Sequence, residues 1–62
     1  MSEMERRYLI RGLEYAIKWN DSFIDAHCDF NGKIRSNFIS ICKIHIDENK
    51  RFKQYLKKLR GF

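Results

Sequence analysis

From Phe38 onward one set of positions returns at alternating steps of four and three: Phe38, Cys42, His45, Asn49, Phe52, Leu56 and Leu59. That rhythm is the seam of a heptad pattern. It predicts a helix over residues 34–60 that runs through the polar segment Asp47-Glu48-Asn49-Lys50, with Ile41, Ile44 and Tyr55 beside the seam. Polar residues on such a seam commonly fix register and oligomeric state, which gives His45 and Asn49 a part in self-association, the competing role being a plain contact with solvent at the core edge.

The first half of the chain has helical periodicity of a different kind. Steps of 100° place Leu9, Leu13, Ala16, Ile17, Phe23 and Ile24 on one face and Arg7, Arg11, Glu14, Lys18, Asp21 and Asp25 on the opposite one. Ser2 followed by Glu5 reads as a capping box, so a helix is predicted over residues 3–27. Tyr8, Tyr15 and Trp19 form a second stripe beside the aliphatic one. With Ile10 they widen the apolar arc to about 200°, twice the ~100° that docking on one neighbour requires.

Between the helices, Asp29-Phe30-Asn31-Gly32 is the clearest turn signal in a chain without proline. The expected architecture is therefore all-α, an antiparallel helical hairpin with its turn at residues 28–33, closing into a four-helix bundle as a dimer. Residues 1–62 are expected to form a single helical domain. Two alternatives compete locally. Residues 38–46 are rich in β-branched side chains, which allows a β-hairpin around Asn31-Gly32, and Asn20-Asp21-Ser22 could start a fresh helix and make three.

Charge changes the picture by half. The 13 Lys and Arg against 8 Asp and Glu give +5, but residues 1–31 hold six acids and four bases, net −2, whereas residues 32–62 hold nine bases and two acids, net +7. Halves of opposite sign attract when laid side by side. The chain starts with charge, lacks the apolar core of a secretory signal, and has no run near the ~20 apolar residues of a membrane span. Two cysteines are too few for a disulfide scaffold, so a cytoplasmic protein is expected.

Three kinds of site chemistry can be read into the residues. His27-Cys28 and Cys42-x-x-His45 supply zinc-type ligands, but in a hairpin turning at residues 31–32 Cys42 lies level with about residue 21, some 10 Å from Cys28 along the axis. Asp29-x-Asn31-Gly32 resembles the middle of a calcium loop, yet His27 and Phe38 occupy the positions where anchoring carboxylates belong. Asp21, Asp25 and Asp29, or Cys42 with His45, lack the third orienting group and oxyanion site of a catalytic centre. No cofactor, metal or catalytic residue is therefore expected.

Binding remains. The leading expectation is a small basic regulatory or adaptor protein that binds another protein through Tyr8, Tyr15 and Trp19, since aromatic anchors dominate interface energetics. The alternative is a nucleic-acid-binding protein that uses Lys50, Arg51, Lys53, Lys57, Lys58 and Arg60, where Phe52 and Tyr55 interleave with the basic residues. An anionic membrane surface is a weaker third partner, because the seam of this helix is needed for folding.

Overall fold

The structure, a computed structural model, describes residues 1–61. It is an antiparallel helical hairpin: α1 spans Glu3–Ala26, a single 3-10 turn spans Ser36–Phe38, and α2 spans Ile39–Arg60. The two helices pack along their length in a molecule 43 × 16 × 14 Å between Cα extremes. No strand is present among the described residues, so residues 38–46 are helical and the β-hairpin alternative is excluded. A third helix does not form either, because α1 continues unbroken through Asn20-Asp21-Ser22. Asn20 there faces α2 and is spent on contacts across the hairpin.

Each helix end shows how its free backbone groups are used. Ser2 Oγ accepts from the Glu5 N–H at 3.1 Å, and Glu3 and Glu5 stand at the positive end of the α1 dipole. Arg6 donates to Glu3, and this holds the Glu3 carboxyl below the usual carboxylate range. At its other end α1 stops without glycine. Its last carbonyls are taken by the following residues: His27 Nδ1 donates to Phe23 O at 2.7 Å, Cys28 Sγ to Ile24 O at 3.2 Å, and the Cys28 N–H to Asp25 O. On α2 the terminal carbonyls meet Gly61 N–H, and the Arg6 guanidinium reaches across from α1 to Leu59 O at 3.0 Å.

The connection is longer than the sequence pattern suggests. α2 was expected from residue 34, but Ile34 pairs with Cys28 in an isolated antiparallel bridge, and Asp29 N–H donates to Lys33 O at 2.8 Å. Inside this small closed loop the Asp29 carboxylate accepts from the Asn31 and Lys33 N–H groups, and Gly32 has φ +78°. These bonds compete with the first turn of a helix and win, so α2 begins at Ile39. The register shifts in consequence. His45 contacts both Asn20 and Phe23, which places Cys42 level with about Phe23–Ala26 rather than residue 21, and closer to Cys28 than expected.

Little of the interior is strictly dry. Cys42 and Leu56 are the buried apolar residues, with Leu13, Ile17, Phe23, Ile24, Phe38, Phe52 and Leu59 half-buried around them. Every residue of the heptad seam is buried or half-buried. The seam therefore packs against α1 inside one chain.

Candidate functional site

At mid-height the interface between α1 and α2 is polar. Asn20 and Asn49 are 2% and 5% exposed, and they are joined by a bond from Asn20 Nδ2 to Asn49 Oδ1 at 2.9 Å. Asn20 Nδ2 also donates to Glu48 Oε1 at 2.9 Å, while Asn49 Nδ2 donates to Asp21 Oδ1 at 2.9 Å and to Ile17 O at 3.4 Å. Carboxylates and carbonyls only accept, so both amide orientations are fixed by their partners. Asn20 Oδ1 must then accept, and His45 Nδ1 donates to it at 2.9 Å. The network is complete: among the described residues no buried side-chain polar atom lacks a partner.

Next to the network, toward the loop, Phe23 stacks against His45 and His27 with ring centroids 4.1 and 4.4 Å apart, and His27 meets Phe38 edge-on at 4.5 Å. The four residues with zinc-type ligand atoms are thus used structurally: both imidazoles donate through Nδ1, Cys28 caps a carbonyl and Cys42 is enclosed. Burial pushes the Cys28 thiol up from its ordinary range, helped by the nearby Asp25 and Asp29 carboxylates. Both cysteines are free thiols. Among the described residues no group of three or more His, Cys, Asp or Glu is arranged to hold a metal ion.

The interhelix contacts also decide how the outer faces combine. On α1, Glu14 and Asp21 lie about 100–120° to one side of Asn20, while Tyr8, Tyr15 and Trp19 lie about 100–140° to the other. On α2, Arg60 sits on the flank shared with Lys43, Lys50, Lys53 and Lys57; Ile41, Ile44, Glu48 and Tyr55 take the other flank. Glu14 pairs with Arg60 at 3.3 Å and Asp21 with Asn49, so the acidic flank of α1 and the basic flank of α2 share one face of the hairpin. The aromatic stripe of α1 and the aliphatic flank of α2 must then share the opposite face. Glu48, bonded to Asn20 from that side, agrees.

The result is a two-faced molecule. Trp19 is 73% exposed and Tyr8 and Tyr15 are each 66% exposed, and across the groove from them Ile41, Ile44 and Tyr55 are exposed as well. Comparison with models of protein families, with curated proteins and with solved structures finds no match to this chain. Its functional reading therefore rests on these faces alone. Sequence reasoning separated Tyr8, Tyr15 and Trp19 from Ile41, Ile44 and Tyr55, because the register and hand of the hairpin are needed to bring the two sets together. It also passed over Phe30, fully exposed at the tip of the loop, which belongs to no helical stripe.

The six basic residues Lys50, Arg51, Lys53, Lys57, Lys58 and Arg60 are all exposed. They do not form one patch. Lys50, Lys53, Lys57 and Arg60 follow the charged face, whereas Arg51 and Lys58 lie on the outer side of α2, with Lys58 Nζ 6.0 Å from the Tyr55 ring centroid. No helix among the described residues is long and apolar enough to cross a membrane.

Proposed function

We propose that this chain is a small protein-binding hairpin, a regulatory or adaptor protein that captures a second polypeptide on the face carrying Tyr8, Tyr15 and Trp19, and that none of its residues has a catalytic part. The observation that carries this reading is the exposure of Trp19 and both tyrosines beside an interior whose polar groups are already satisfied. Large aromatic side chains left in water are unfavourable for an isolated molecule and are the usual anchors of an interface. An amphipathic helix, or a pair of them, laid along the groove between α1 and α2 would complete a helical bundle. Two copies of this chain would make a four-helix bundle.

Replacement of Tyr15 and Trp19 together by Ala tests the reading. Because both side chains are exposed, the helical circular dichroism of the chain should stay unchanged, while affinity for its partner falls about thirtyfold or more, as for loss of an anchor. Loss of helicity in the double variant would mean that the stripe serves the folding of the chain itself and would remove the proposal.

A second reading, nucleic-acid binding through Lys50, Arg51, Lys53, Lys57, Lys58 and Arg60, is supported by one observation. Of these six only Arg60 is engaged in a salt bridge among the described residues, which leaves the others available to phosphates. Glu14, Asp21 and Asp25 of α1 stand on the same face as Lys50, Lys53 and Lys57, lower the local potential and place this reading second.

A further inference from the structure

We infer that the polypeptide received by the apolar face is a second copy of this chain, related by a two-fold axis parallel to the long axis of the hairpin, so that α1 of each copy lies on α2 of the other. This rests on the reading of that face as a docking surface and names its occupant.

The first support is a match of shape along the face. Its midline on α1 is the seven-residue series Glu5, Gly12, Trp19 and Ala26, and on α2 it is Ile41, Glu48 and Tyr55. Taking the register from the contacts of Asn20 with Asn49 and His45, Gly12 stands level with Tyr55, Trp19 with Glu48 and Ala26 with Ile41. The two-fold described keeps each level and exchanges the helices. It therefore sets the two small residues of α1 against the two large ones of the partner α2. The indole N–H of Trp19 comes opposite the partner's Glu48, whose Oε1 is bonded to Asn20 and whose other oxygen has no partner among the described residues. Gly12 is otherwise unexplained. A mid-helix glycine costs roughly 1 kcal/mol relative to alanine, and a Cβ added at Gly12 would meet nothing within 4 Å among the described residues.

Charge selects the same arrangement. α1 carries five acids and four bases, net −1, and α2 seven bases and two acids, net +5. A two-fold across the hairpin would stack α2 on α2, +5 against +5, whereas the axis along it alternates the helices around the bundle. Area is sufficient as well. A face 43 by 16 Å between Cα extremes, on the order of 700 Å² before side-chain relief, compares with the ~800 Å² per partner of stable complexes.

The full chain is tested by light scattering coupled to size exclusion, at tens to hundreds of micromolar, beside Gly12→Gln. Glutamine is the better helix former, so the variant should keep or gain helicity, while its bulk under Tyr55 raises the dimer Kd about tenfold or more. The expected result is a wild-type mass of two chains and a shift of Gly12→Gln toward 7.6 kDa. A wild-type chain of 7.6 kDa throughout, or a Gly12→Gln dimer as tight as wild type, overturns the inference. Oxidative pairing of a Gly12→Cys chain mixed with a Tyr55→Cys chain gives a second readout that survives misfolding of the glutamine variant. Mixed disulfides exceeding both homodisulfides support the axis, and dominance of the homodisulfides overturns it. If wild type is monomeric and yet loses a separate protein ligand on Tyr15→Ala with Trp19→Ala, the docking face stands and only its self-pairing fails; a monomer with no ligand of either kind removes both.

Discussion

Asn20 and Asn49 are the residues on which the interior turns. Each amide is enclosed, and each satisfies the other together with His45, Glu48, Asp21 and a backbone carbonyl. Removing one side leaves the other desolvated and unpaired, the costly half of any buried hydrogen bond. Asn20→Ala should therefore lower unfolding stability by roughly 1–3 kcal/mol in urea titration, and Asn20→Leu combined with Asn49→Leu should lose less than the two single changes summed. Summed losses in the double variant would show that the amides act independently. The place of Asn49 on the interface was readable from the heptad rhythm, whereas Asn20 read only as a possible start of a fresh helix, and their mutual bonding depends on a register that the length of the loop decides.

Among the elements, the loop is the one the sequence describes least completely. Helix periods and the Ser2 cap place α1 to within a residue, since amphipathic spacing and capping act locally. For α2 the same periodicity runs back through Ile34 and Phe38 and cannot register that Asp29 and Arg35 bind backbone groups across the loop. Gly32 holds that loop in the left-handed region at φ +78°. Gly32→Ala should cost roughly 1–2 kcal/mol, seen as a lower midpoint in thermal melts with unchanged helix content below the transition. An unchanged midpoint would mean that the turn relaxes without loss. The aromatic stripe illustrates the same boundary: periodicity places Tyr8, Tyr15 and Trp19 together, while the merger of that stripe with Ile41, Ile44 and Tyr55 is a property of two packed helices.

For the whole molecule the arrangement of charge separates the two functional readings. If the basic side chains of α2 hold phosphates, retention of duplex DNA or RNA at low ionic strength should weaken steeply as salt is added, with a slope of about −0.9 per phosphate neutralised. Electrophoretic mobility assays across a salt series measure this, and absence of any shift at the lowest salt would remove the nucleic-acid reading. Contacts made through Tyr8, Tyr15 and Trp19 should respond far less, since burial of aromatic surface is not screened by ions. The asparagine pair has a consequence here that reaches beyond the interior. Sliding one helix past the other by a single turn, about 5.4 Å, would strand all of its amide groups, so the hairpin is keyed to one alignment as a lock is to its wards. The spacing of knobs and hollows on the outside is thereby dictated by a handful of hydrogen bonds between the two helices.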